Sequence, residues 1–200
     1  MKNNLRQSTF TRSTKETQIE VGLKLDGAGN SEITTGIGFL DHMLTTFSRH
    51  SLFDLKVICK GDLEVDGHHT VEDLGICLGK VFNQCVGEGK GIKRYGSVFI
   101  PMDEALVHVA LDICGRGYLA SDLKLPQARV GELESYLMVE FFRAFAFNAG
   151  ITLHIRQLAG DNTHHILEAS FKAWAHALKQ AVTVDLGIDG TLSTKGGLDL

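Results

Sequence analysis

Two stretches of the chain read His-His-x-x-Glu: His68, His69 and Glu72 in HHTVED, and His164, His165 and Glu168 in HHILEA, 96 residues further on. Imidazole nitrogen and carboxylate oxygen are the donors of a transition-metal site, and without thiolates they favour manganese, iron or zinc. Several histidines with one glutamate per ion suit octahedral manganese best. Successive residues on a helix lie about 100° apart, so adjacent histidines diverge, while His164 shares a face with Glu168 and His68 with Glu72. Each motif therefore reaches in two directions. Two motifs imply two ions, each assembled from different segments or from neighbouring subunits. A single motif reads equally well as a helix start with an acid in its first turn, favoured by the helix dipole. Two motifs at matched places in a repeat favour ligation.

The repeat extends beyond the motifs. A shift of 96 sets Val71, Leu78, Phe82 and Val86 on Leu167, Trp174, Leu178 and Val182, one apolar stripe at helical spacing in each copy. Both motifs therefore open amphipathic helices. Upstream, a shift of 98 sets His42 on Glu140, Phe47 on Phe145, Phe53 on Ile151 and Leu55 on Leu153, and a loop absorbs the difference. His42, in GFLDHML, becomes a further ligand candidate because its counterpart Glu140 is also ligand-capable. His50, His108, His154 and His176 have no such counterparts, and no role is assigned to them.

Earlier in each half, apolar residues alternate: Ile19, Val21, Leu23 and Leu25, then Ala105, Val107, Val109 and Leu111, the period of a strand. The stretch GEGKGIKRYG, from Gly87 to Gly96, reads as a connecting loop rather than a phosphate cradle. It places the boundary near Gly91, giving halves 1–91 and 92–200 of one compact duplicated unit. The fold class expected is α+β: a strands-helix-strand-helix half, duplicated, each half a small sheet covered by two helices, the two related by a pseudo-twofold axis.

With 44% hydrophobic residues and only two prolines, a chain of this length can bury a substantial core. A formal charge of -4 lacks the basic surplus of a nucleic-acid-binding surface, so a small molecule is the expected partner. The opening MKNNLRQSTFTRSTKE has no apolar core of a signal peptide, and no stretch reaches the length of a membrane span. A soluble, cytoplasmic protein is expected. Cys59, Cys77, Cys85 and Cys114 show no CxxC spacing and read as small buried hydrophobes.

GFLDHML, DGHHTVEDLGICLG, GRGYL, HHILEASFKAWAHAL and the terminal STKGG together resemble the imidazoleglycerol-phosphate dehydratase family, from about Arg12 to the C-terminus. The resemblance implies a duplicated fold similar to the second domain of ribosomal protein S5. It also implies two manganese ions (Mn2+) per active site and a homo-oligomer of 24 subunits with octahedral symmetry and active sites between subunits. The ligands it carries over are His42, His68, His69, Glu72, Glu140, His164, His165 and Glu168. Glu140 departs from the histidine that several relatives have there, a replacement manganese accepts. Arg94, Arg116, Lys172, Ser193 and Lys195 match contacts to the substrate phosphate, which needs several cations and hydroxyl donors. Thr46 stands where relatives often offer glutamine, and it is left out of the site.

The implied reaction is a hydro-lyase step of histidine biosynthesis that removes water from imidazole glycerol phosphate to give imidazole acetol phosphate. The C–H to be broken has no neighbouring carbonyl, so the ring must store the electrons, and metal ions on its nitrogens stabilise the imidazolate. Glu16, in RSTKET, matches the family carboxylate that meets the substrate chain and takes the proton. Two other readings fit the metal motifs: a binuclear metal-dependent phosphoester hydrolase, and a metal-organised structural shell without turnover.

Overall fold

Strands β1 (Gln7–Ser13) and β2 (Thr17–Lys24) form a hairpin in which every second β2 residue from Thr17 to Leu23 is buried, as its period-two pattern requires. The computed structural model describes residues 6–198. The first half continues through β3 (Ser31–Thr34), α1 (Gly38–Ser51), β4 (Asp54–Gly61) and α2 (His68–Val86). The second half runs β5 (Tyr95–Met102), β6 (Ala105–Ile113), β7 (Tyr118–Ser121), a short hairpin β8 (Arg129–Val130) and β9 (Leu133–Glu134), then α3 (Leu137–Ala149), β10 (Ile151–Ala159) and α4 (Thr163–Val182).

Both halves build the same sheet. The strand orders are β1-β2-β4-β3 and β5-β6-β10-β7, and in each the last strand runs parallel to its neighbour while the other pairings are antiparallel. The ladders also fix the equivalence of β2 and β6. Leu23 pairs with Leu55, and Leu111 with Leu153, so Leu23 corresponds to Leu111, a shift of 88. The α+β duplication expected from the sequence is the architecture observed.

The four helices lie between the two sheets around one apolar core. Helix α2 packs on β1 and β2, and α4 on β5 and β6. Across the middle, α2 packs on α3 and α1 on α4, so each motif helix meets the first helix of the other half. All eight residues of the two helical stripes are buried, with Trp174 stacked on Phe47 at 4.2 Å between ring centroids. Each large side chain fully buried in this way contributes about 1.5 to 3 kcal/mol. Helix α2 approaches α3 closely at Gly75 and Gly79, where a Cβ would stand 2.7 Å from the carbonyl oxygens of Phe141 and Phe145.

One boundary differs from the sequence expectation. The Gly-rich connection ends at Arg94, and Tyr95 and Gly96 belong to β5. Gly96 lies against α4, leaving no room for a side chain beside the Ala177 carbonyl, so this glycine serves packing rather than a turn. The four cysteines are buried and unpaired, and burial pushes the thiols of Cys59 and Cys85 up to about 12. No described helix is long and apolar enough to cross a membrane.

Candidate metal-binding and catalytic site

Asx-type hydrogen bonds start both motif helices at equivalent places. Asp66 Oδ1 accepts from His68 N at 2.8 Å, and Asn162 Oδ1 accepts from His164 N at 2.9 Å. The histidines of each motif then diverge as helix geometry dictates. The ring planes of His68 and His69 stand at 89°, and those of His164 and His165 at 80°.

The first histidine of each motif turns toward its own glutamate. His164 Nε2 is 3.2 Å from Glu168 Oε2, and His68 Nε2 is 3.7 Å from Glu72 Oε2. Because α1 packs on α4, His42 joins the second motif, with Nε2 3.4 Å from the same Glu168 oxygen. His42, His164 and Glu168 thus offer three donor atoms within 4.8 Å of one another, the one such group among the described residues. Burial pushes the Glu168 carboxyl up, but Lys172, whose Nζ lies 2.7 Å from Oε1, and the two histidines outweigh it, leaving Glu168 below its ordinary 4.5.

The second histidine of each motif is held at Nδ1 by a carboxylate. Glu104 Oε2 lies 2.7 Å from His165 Nδ1, and Asp62 Oδ2 lies 3.0 Å from His69 Nδ1. These contacts raise both imidazoles above their ordinary 6.5 and hold Glu104 at about 2. A carboxylate on Nδ1 fixes the tautomer and leaves Nε2 to face a metal ion. The donor set, imidazole and carboxylate without thiolate, suits a first-row divalent ion, with manganese, iron and zinc alike within its range.

Glu16 sits at the end of the β1–β2 hairpin, half exposed, with Oε1 3.9 Å from His69 Nε2. Thr14 Oγ1 accepts from the backbone N–H groups of Glu16 and Thr17, and the Glu16 carbonyl accepts from Asp62 N. The structure therefore brings Glu16 to the first motif, a proximity the sequence spacing alone does not give.

Other candidates are more dispersed. Glu140, on α3, is bound to Arg143 Nε at 3.1 Å and joins no three-ligand group among the described residues. Arg94 clamps Asp112 through Nε and Nη2 at 2.7 and 3.0 Å, and its Nη1 donates to the Leu192 carbonyl at 2.7 Å. That contact anchors the C-terminal segment, in which Ser193 Oγ accepts from Lys195 N. Arg116 is exposed on the β6–β7 loop. Lys172 lies beside the His42 cluster, whereas no hydrogen bond or ion pair among the described residues joins Arg94, Arg116, Ser193 or Lys195 to it.

Sequence reasoning did not single out Asp62 and Glu104. The signal for Glu104 is the shift of 88 between β2 and β6, which sets Glu16 on Glu104. His50 and His176, without a role in the sequence reading, meet each other at 3.1 Å, and burial followed by the neighbouring His176 lowers the His50 pKa.

Two helix-borne His/Glu motifs, a carboxylate at a hairpin tip and a duplicated α+β frame define the class of the protein as a hydro-lyase enzyme, once its relatives are considered. The family model described as Imidazoleglycerol-phosphate dehydratase matches residues 35–178. The Imidazoleglycerol-phosphate dehydratase of Caldanaerobacter subterraneus subsp. tengcongensis is 58% identical over 192 residues, 96% of this chain and 99% of that one. That of Acetivibrio thermocellus is 56% identical over 193 residues, again 96% and 99%. The crystal structure of Imidazoleglycerol-phosphate Dehydratase from Staphylococcus aureus superposes with a TM-score of 0.82 at 40% identity, covering 90% of this chain and 99% of that one. The chain belongs to the imidazoleglycerol-phosphate dehydratase family.

Proposed function

We propose that this chain eliminates water from imidazole glycerol phosphate to give imidazole acetol phosphate, in histidine biosynthesis, with manganese as its metal. The observation that carries the reading is the cross-half group of His42, His164 and Glu168 in a chain of this family. Those three residues would hold one ion, and His68, His69, Glu72, Glu140 and His165 are the donors for the rest of the metal complement. Bound manganese supplies Lewis-acid stabilisation of negative charge on the substrate ring.

The chain's own groups do the remainder. Glu16 takes the proton from the carbon next to the one that loses its hydroxide; that proton and the hydroxide together make up the water released, and the enol left behind tautomerises to the ketone. Lys172 and Arg116 offer cationic donors to the phosphate, and Ser193 and Lys195 further donors from the segment that Arg94 anchors. Within one chain these donors are not gathered, because Lys172 sits with the His42 cluster while Ser193 and Lys195 lie on the C-terminal segment. Their dispersal supports active sites formed between copies of the chain, as in the 24-subunit homo-oligomer that the family resemblance implies. Asp62 and Glu104 keep Nε2 of His69 and His165 turned outward for ligation.

The test is to incubate metal-stripped protein with imidazole glycerol phosphate, with and without manganese, and to follow both the ketone and free phosphate. Manganese-dependent ketone without phosphate is the expected result. Phosphate release would instead indicate a binuclear hydrolase, and metal-dependent assembly without either product would indicate a structural shell.

A further inference from the structure

Arg12, Thr17 and Asp73 form a polar triad in the first half that the second half lacks. Asp73 follows Glu72 in the second turn of α2 and is buried; its Oδ1 lies 3.0 Å from Arg12 Nη2, and its Oδ2 accepts from Thr17 Oγ1 at 2.6 Å. Arg12 pairs with Ile19 across the ladder as Ile100 pairs with Val107, so the strand registers equate Arg12 with Ile100 and Thr17 with Ala105. The helix shift of 96 equates Asp73 with Ala169. All three polar groups are thus replaced together by aliphatic ones, while the sheet order and the helix above it stay the same.

The architecture therefore does not require the triad. Nor is the triad fully satisfied: Arg12 Nε is buried without a hydrogen-bond partner among the described residues. Part-buried ion pairs that apolar side chains can replace are weak sources of stability, and the best-attested use of such polar groups is to fix one arrangement among several.

The arrangement at stake is the position of Glu16. Its repeat counterpart Glu104 bonds directly to Nδ1 of His165, but Glu16 does not bond Nδ1 of His69, because Asp62 occupies it. Glu16 lies immediately before Thr17, and Arg12 lies on the facing strand of the same hairpin. We propose that the Arg12–Asp73–Thr17 triad is a positioning device that locks the β1–β2 hairpin onto the second turn of α2, so that the Glu16 carboxylate projects free beside His69. The proposal rests on the reading of Glu16 as the proton acceptor. A misplacement of about 1 Å at a reacting group lowers turnover by up to roughly 100-fold, so a clamp on the hairpin has a measurable consequence.

The experiment transplants the second half's arrangement into the first: Arg12→Ile, Thr17→Ala and Asp73→Ala together, with Thr17→Val and Thr17→Ser as single variants. Each is made with Glu16 present and in a Glu16→Gln background. The triple variant should retain its manganese and its melting temperature, while kcat falls roughly 10- to 100-fold at a KM within about twofold of wild type. Thr17→Val should lower kcat and Thr17→Ser should preserve it, which keeps the test alive if the triple variant fails to fold. In the Glu16→Gln background neither the triple variant nor Thr17→Val should lower kcat further. An equal fold-loss in both backgrounds overturns the positioning role and leaves Glu16 as base. Wild-type turnover by Glu16→Gln alone removes the base itself, and the proposal with it.

Discussion

Glu104 and Glu16 occupy equivalent places in the two halves, yet only Glu104 bonds the Nδ1 of its motif histidine, at 2.7 Å from His165. In the first half that contact belongs to Asp62, 3.0 Å from His69 Nδ1. Duplication has left two carboxylates with the same address and different contacts. Carboxylates that orient ligating histidines typically contribute 10- to 100-fold in metal affinity. Glu104→Gln and Asp62→Asn should each weaken manganese binding by roughly that factor. Glu16→Gln should leave binding unchanged while lowering turnover. Manganese titrations of the three variants check this, and an equal loss of affinity in Glu16→Gln would make Glu16 a brace like Glu104.

The helices and their motifs were legible in the sequence because a stripe such as Val71, Leu78, Phe82 and Val86 matches the helical period over several turns. The fold class followed from repeating that pattern. The equivalence of Glu16 and Glu104 was not legible, for a physical reason: a period-two pattern matches itself at every even shift, so Ile19 to Leu25 cannot be set against Ala105 to Leu111 without the hydrogen-bonded ladders. The meeting of His42 with His164 and Glu168 was hidden differently. It depends on α1 packing against α4 of the other half, which no local pattern encodes. Asp62 and Asp66 lie in a short polar connection that composition reads only as a loop.

Helix α1 ends in a left-handed residue, Leu52 at φ 60°, where the equivalent helix α3 ends in Gly150 at φ 66°. A side chain in that conformation costs roughly 1–2 kcal/mol that glycine avoids. Leu52 is 45% exposed, so its removal forfeits only part of a buried contact. The relieved strain exceeds the roughly 0.4–1 kcal/mol that glycine's greater freedom in the unfolded chain costs, so Leu52→Gly should stabilise the protein by up to about 1 kcal/mol, read as a rise in urea midpoint at unchanged slope. A fall in midpoint would show that the Leu52 side chain contributes more packing than its exposure implies.

Gly79 presents the opposite case. In an exposed helix Gly→Ala gains about 1 kcal/mol of propensity. Here the added Cβ would stand 2.7 Å from the Phe145 carbonyl oxygen, 2.8 Å from Asn148 Cβ and 3.0 Å from Ala149 N on α3. Two of those atoms are backbone within a helix and cannot step aside singly. Overpacking of this kind costs about 1–3 kcal/mol, so the clash wins. Thermal unfolding of Gly79→Ala should show a lower melting temperature, and an unchanged one would mean that α2 and α3 can separate at no cost.

Asp54 gives the fold a pH dependence of known sign. Its Oδ1 accepts from Ala28 N at 2.9 Å, Asn30 N at 3.0 Å and Asn30 Nδ2 at 3.1 Å, tying the β2–β3 connection to the start of β4. The backbone N–H groups of Ala28 and Asn30 lead in holding its carboxyl below the ordinary 3.8, with Lys24 adding attraction. A depressed native pKa means that the unfolded chain takes up the proton first. The contribution is therefore complete above the unfolded value and is lost as pH falls through the folded one. Hydrogen bonds to a charged acceptor exceed neutral ones by about 1 kcal/mol, and Asp54→Asn keeps the shape while removing the charge. At pH 7 the variant should melt roughly 2–4 °C below wild type, and the gap should narrow progressively as both are taken to pH 3 and below. A gap of the same size at both ends of that range would trace the loss to altered geometry rather than to the carboxylate charge.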